Sequence, residues 1–125
     1  MTERYLLCYA GRYSFLVHAD SVLHIWQRPD AAPAELSDCT PVEMRRLLGD
    51  DALPDGIAVG LKTEAGAQIL IVDQVGGFSH AADADFIALP RVFHFAREIF
   101  DAACCRAIAG AYPLRLRSEA RLIAD

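Results

Sequence analysis

The side chains through which this sequence could bind a metal or run acid–base or nucleophilic chemistry are four histidines, four cysteines and two pairs of near-neighbour aspartates. His18, His24, His80 and His94 fit neither an H-E-x-x-H nor an H-x-x-x-H spacing, and no cysteine stands at a zinc-ligand interval from them, so they read as surface or edge histidines. Cys8, Cys39, Cys104 and Cys105 contain no C-x-x-C and fall mostly inside apolar segments, which is expected of reduced, inert thiols. Cys39, next to Thr40, is the one cysteine placed near an expected helix start, where a thiolate could be stabilised. Nothing else marks an oxyanion site, and a loop role accounts for it better. Asp50-Asp51 and Asp83/Asp85 lie in turn-like stretches where aspartate is favoured for bonding to backbone. No phosphate-binding loop or nucleophile elbow is present, and Gly76-Gly77 alone is a weak signal. The expectation is no catalytic residue, no metal and no cofactor.

The elements that would have to position such residues are those of a small globular chain. Its 125 residues are 54% apolar and 23% charged, with a formal net charge of -5. A chain of this length buries roughly two-thirds of the surface its unfolded form exposes, so one domain over residues 1–125 is expected to fold without metals or disulfides. Twelve basic residues against 17 acidic ones, with Lys62 the single lysine, offer no polycationic face, so no nucleic-acid partner is expected. No apolar run approaches the roughly 18 residues of a membrane span, and Met-Thr-Glu-Arg-Tyr lacks the features of a signal peptide. A cytoplasmic protein without membrane insertion follows as an expectation.

Along the chain, residues 4–10 and 13–18 alternate around Gly11-Arg12 and predict a hairpin whose first strand is apolar on both faces. Residues 21–26 fit either a helical turn or a third strand. The stretch RPDAAPAELSD at 28–38 reads as a surface connection. Thr40-Pro41-Val42-Glu43 has the pattern of a capping box with proline at the first helical position, predicting a helix over 41–48 that stops at Gly49. Residues 57–62 and 67–72 form a second expected hairpin, and 73–78 continue it with a bulge or bend at Gly76-Gly77. Residues 86–90 form a short extended piece ended by Pro90. Val92, Ala96, Ile99, Phe100 and Ala103 share a helical stripe, predicting a helix near 92–103. Residues 105–109 and 112–117 read as a third hairpin, and the tail 118–125 as a cap on the sheet through Leu122 and Ile123. The sum is a mainly β protein closed as a barrel or sandwich.

Taken in order, these segments resemble the CheW-like family of chemotaxis coupling proteins. Tyr5 to Val17 followed by Val22-Leu23-His24-Ile25 is similar to that family's opening strand, glycine turn, second strand and V-x-E-I-like segment. Pro41-Val42-Glu43-Met44-Arg45-Arg46-Leu47-Leu48-Gly49 resembles its P-V-V-D-L-R-x-L-L-G stretch, one residue shorter. Ile71-Val72-Asp73-Gln74-Val75 is similar to its L-V-D-x-V signature, and Leu89-Pro90 to the L-P beyond it. The sequence departs at His24, which stands for an acidic residue, and in its middle, where RPDAAPAELSDCT replaces the N-L-R-G segment. The resemblance implies two small SH3-like β-barrels around a shared core, with one or two short helices and a shortened middle. It implies a non-catalytic adaptor or scaffold in bacterial chemosensory signal transduction. Its partners would be the regulatory domain of a CheA-type histidine kinase and/or the cytoplasmic tip of a chemoreceptor.

Edge strands and short hairpins agree with a binding module. Val22, Ile25, Trp26, Val72, Val75 and Phe78 are the candidate partner-binding residues, with a core role as the alternative for each. Trp26 near Arg28 is a frequent hot-spot combination. A self-associating β-barrel scaffold, and a small enzyme using Cys39 or a histidine, are the competing readings.

Overall fold

A computed structural model describes residues 2–28, 30–120 and 122. Two sheets make up the fold. The larger is built from β1 (Thr2–Ala10), β2 (Tyr13–His18), β7 (Gln74–Ala82), β8 (Phe86–Ala88), β9 (Phe100–Cys104) and β10 (Leu114–Leu116), ordered β7-β1-β2-β10-β9-β8. The smaller holds β3 (Val22–Gln27), β4 (Pro41–Glu43), β5 (Ile57–Thr63) and β6 (Gly66–Val72), ordered β3-β5-β6-β4. Among the described residues, one short helix, α1 (Met44–Leu47), and four 3-10 turns complete it.

The alternation along the strands explains why so few faces are polar. In β1, Leu6, Cys8 and Ala10 point into a main core while Tyr5 and Leu7 point into a second one. In β6, Leu70 and Val72 enter the same main core and Ile69 and Ile71 enter a third. The main core is therefore shared: Phe15, Val17, Phe100, Leu114 and Leu116 of the larger sheet meet Val42, Val59, Leu61, Leu70 and Val72 of the smaller, with Met44 and Leu48 beside them. This is the mainly β, two-barrel arrangement on a common core expected above.

The first two of the three predicted hairpins form, β1–β2 from Tyr5 opposite His18 to Ala10 opposite Tyr13, and β5–β6 from Ile57 opposite Val72 to Thr63 opposite Gly66. The segment at 21–26 resolves as the strand β3. The glycine pair does make a bulge: Leu7 pairs Gly77 while Cys8 pairs Val75, so Gly76 is the extra residue and Gly77 adopts φ +89°.

Three expectations need correction. Residues 41–43 are not helical but form β4, which runs parallel to β6 with Val42 opposite Leu70, and the helix is only Met44–Leu47 with no side-chain cap from Thr40. Burial of Val42 in the shared core outweighs the local capping pattern. The expected helix at 92–103 is a 3-10 turn, Arg91–Ala96, followed by β9. The small residues Ala102, Ala103 and Cys104 are buried, which a strand covered on both faces achieves and an amphipathic helix does not. The last hairpin exists, but its arms are β9 and β10 and residues 105–113 form the connection between them, tightened by reciprocal backbone bonds between Ile108 and Ala111. Of the tail, Leu122 packs on the shared core and donates its N–H to Gln68 Oε1 at 2.8 Å, whereas Ile123 lies outside the described residues.

Candidate functional site

The family-like segments that looked separate in sequence meet in space. Asp73, at the β6–β7 junction, accepts hydrogen bonds through Oδ2 from the Gly11 N–H of the β1–β2 turn at 2.9 Å and from Arg45 Nη1 of α1 at 2.8 Å. Arg45 Nε donates to the Asp51 carbonyl at 2.7 Å, and the Asp73 N–H donates to the Tyr9 carbonyl at 2.8 Å. One carboxylate thus ties the first hairpin, the helix and the strand that passes between the sheets. Each side chain of the pair is only about a fifth exposed, with Arg45 at 22% and Asp73 at 23%, so water screens it little. Sequence reasoning quoted both residues within motifs but assigned neither a role, since nothing local links positions 28 residues apart.

The segment 30–40 also has a defined place. Leu36, fully buried on the 3-10 turn Ala34–Leu36, packs with Ala58, Ile69 and Ile71 on the outer face of the smaller sheet, and Trp26, Ala32 and Cys39 surround it. Gly60 makes the approach feasible, because a Cβ there would collide with Leu36 Cδ1 and sit 3.3 Å from Trp26 Cζ3. Arg28 Nη1 donates to Glu43 Oε1 at 2.7 Å, which pins the start of this loop to β4.

The six candidate partner-binding residues divide by exposure. Ile25 on β3 and Phe78 on β7 are 42% and 49% exposed, and the Arg4 guanidinium carbon lies 4.7 Å from the Phe78 ring centroid. Val22 and Val75 are half-buried against the shared core, and Trp26 is half-buried against the Leu36 cluster. Val72 is 1% exposed and is a core residue. Arg28 is engaged by Glu43, so the Trp26–Arg28 combination is not a bare surface pair.

Another exposed surface had no sequence signal. On the turn Arg91–Ala96, Val92 is 76% and Phe95 58% exposed, while the Tyr13 ring lies 6.0 Å from that of Phe95 and 6.2 Å from that of Phe93. Helical periodicity had counted Val92 as buried. Its exposure, on the same short turn as the exposed Phe95 ring that Tyr13 meets, makes a small apolar knob at the surface.

The residues first considered for chemistry do not assemble. Among the described residues no group of three or more His, Cys, Asp or Glu could hold a metal ion. His18 Nδ1 lies 3.2 Å from Glu3 Oε2, His24 contacts Glu35, and His94 Nε2 lies 3.1 Å from the Leu89 carbonyl oxygen. Cys39 lies in the loop before β4, its thiol 3.6 Å from the Ala67 carbonyl. Burial pushes the Cys8 thiol up to about 12, far from a reactive thiolate. Asp85 accepts the Ala82 N–H at 2.8 Å, the turn-stabilising role expected of it. A cavity of about 550 Å³ opens between β1, β2, β5 and β10, lined by charges of both signs including Glu3, Arg4, Lys62, Glu64 and Arg117. None of the six candidate residues lines it.

The fold and its exposed features are those of two small β-barrels on a shared core that present apolar strand and turn surfaces. A solved structure with this fold is the scaffolding protein TtCheW from Thermoanaerobacter tengcongensis, which superposes with a TM-score of 0.74 over 94% of this chain and 90% of that one at 10% sequence identity. No family model matches the sequence, and no curated protein matches it. The CheW-like fold is therefore carried by structure rather than by residue identity.

Proposed function

We propose that residues 1–125 form a single CheW-like domain acting as a non-catalytic adaptor in bacterial chemosensory signalling. It docks the regulatory domain of a CheA-type histidine kinase and/or the cytoplasmic tip of a chemoreceptor. The observation that carries the reading is the likeness of nearly the whole chain to a CheW scaffolding protein. Exposed apolar side chains on rigid strands, without convergent titratable groups, are what a docking module needs. Among the described residues no helix is long and apolar enough to cross a membrane, in keeping with an adaptor that works in the cytoplasm.

Ile25 and Phe78 are the contact residues of the predicted set, Val22, Trp26 and Val75 shape the surface around them, and Val72 supports it from the core. The Val92/Phe95 knob is a second docking point. The Arg45–Asp73 pair holds the two sheets in the relation that such surfaces require. The test is co-sedimentation of a CheA-type kinase with vesicles bearing receptor cytoplasmic domains, with and without this chain. The adaptor reading expects kinase in the pellet only when the chain is present, and less of it with Phe78→Glu. Kinase recovery independent of the chain overturns it.

A further inference from the structure

The cavity of about 550 Å³ lies where β1, β2 and β10 of the larger sheet face the end of β5 in the smaller. Val17 and Leu116, both members of the shared core, form its apolar floor. The 3-10 turn Ala19–Ser21, which carries the chain from one sheet to the other, borders one side, and the turn after β5 borders the opposite one. These walls are braced from within. Ser21 Oγ donates to the His18 carbonyl at 2.7 Å, Thr63 Oγ1 accepts from Gln68 Nε2 at 3.1 Å, and the Glu64 N–H donates to the Ser118 carbonyl at 3.3 Å. A braced cleft of this volume between two packed units has the form of a small-molecule site.

The ionisable groups of the cavity fall into two sets. Glu3 is taken up by the Tyr5 hydroxyl and His18 Nδ1, both at 3.2 Å, and Arg117 by the Arg97 carbonyl at 2.7 Å and Glu119 at 3.2 Å. Arg4, Asp20, Lys62 and Glu64 line the same cavity, and among the described residues none of the four makes an ion pair. Arg4 is steadied by the Phe78 ring, whose centroid lies 4.7 Å from the guanidinium carbon. Two cations and two anions thus surround an apolar floor without neutralising one another. A ligand of one sign is attracted by two of these groups and repelled by the other two, whereas a zwitterion can satisfy all four.

We propose that this cavity binds a small zwitterion with an apolar body, the chemistry of a free α-amino acid with an apolar side chain. Its carboxylate lies against Arg4 and Lys62, its ammonium against Asp20 and Glu64, and its side chain over Val17 and Leu116. The four charged side chains are exposed, so each contact is screened, and the binding is weak and falls as salt rises. None of the six candidate partner-binding residues lines the cavity, so this site does not rest on the adaptor reading, and either can fail without the other.

The test is a titration of the purified, nitrogen-15-labelled chain, followed by amide chemical shifts. Three probes are used: L-phenylalanine, hydrocinnamate, which lacks the ammonium, and phenethylamine, which lacks the carboxylate. The expected result is saturable shifts within 17–21, 62–64 and 116–118 on adding phenylalanine, with a dissociation constant of about 1 mM or below. Each analogue should bind about fivefold more weakly or worse. Combining Asp20→Asn with Glu64→Gln should bring phenylalanine down to the level of hydrocinnamate while hydrocinnamate itself binds no worse. The proposal is overturned by the absence of saturable shifts with phenylalanine at roughly 10 mM, or by shifts that lie outside the cavity. Hydrocinnamate or phenethylamine binding as tightly as phenylalanine overturns it too, a comparison made on the natural chain and independent of any variant. So does a paired variant with an unchanged unfolding midpoint that loses both ligands alike.

Discussion

Replacing Leu36 by alanine removes three carbons from a side chain that has no exposure and that is the fully buried anchor of the 28–40 loop on the smaller sheet. At about 0.8 kcal/mol per buried methylene the transfer loss is roughly 2.4 kcal/mol, and the void left against Ala58, Ile69 and Ile71 raises it to about 3 kcal/mol. The unfolding entropy of a 125-residue chain is about 0.26 kcal/mol/K, so Tm should fall by about 11 °C. Calorimetry with a parallel urea titration checks this, the expected signature being a lower midpoint with an unchanged slope. Leu53→Ala, at a position 44% exposed, is the control and should cost well under 1 kcal/mol. A Leu36→Ala loss no larger than that control would refute the conclusion that Leu36 anchors this loop on the smaller sheet.

Three further outcomes follow from the same geometry. Asp73→Ala leaves Arg45 Nη1 and the Gly11 N–H without their acceptor and should destabilise the fold by about 1–3 kcal/mol by urea denaturation, with Asp73→Asn recovering part of the loss. The folded chain holds Cys8 protonated up to about 12 against an ordinary value of 9.0, so above pH 9 the unfolded chain loses this proton first. Stability is then full below pH 9 and falls as pH rises toward 12; Cys8→Ala should flatten that fall, leaving the part due to Tyr5, whose hydroxyl burial also raises. Iodoacetamide followed by mass spectrometry should modify exposed Cys105 first and spare buried Cys8 and Cys104 until urea unfolds the chain.

What could be read from the sequence were the features that are local. Two hairpins announced themselves through period-two alternation around glycine turns, and Gly76-Gly77 announced a bulge because a strand interior has little other use for two glycines. The segment 41–43 was misread because Thr40-Pro41-Val42-Glu43 satisfies every local rule for a helix start, while the parallel partner that captures it, β6, is more than 20 residues away. At 92–103 the spacing of Val92, Ala96 and Phe100 fits a helix, yet Val92 is 76% exposed and Phe100 fully buried, so the stripe has no common side. The candidate site was legible in the same measure. Ile25 and Phe78 were named and are exposed, Val72 was named and is core, and the Val92/Phe95 knob was missed by the same false period. Asp73 and Arg45 could not be paired from sequence, because their contact depends on how two sheets share one core.

The adaptor account is tested most directly by calorimetric titration of this chain into the regulatory domain of a CheA-type kinase from the same organism, with and without receptor cytoplasmic tips. It predicts binding in the micromolar range, roughly -8 kcal/mol, weakened at least tenfold by Phe78→Glu with no change in the unfolding midpoint. Absence of heat with the cognate kinase and with the receptor tips, from a chain shown to be folded, would contradict the account and leave the two-barrel fold without the coupling role.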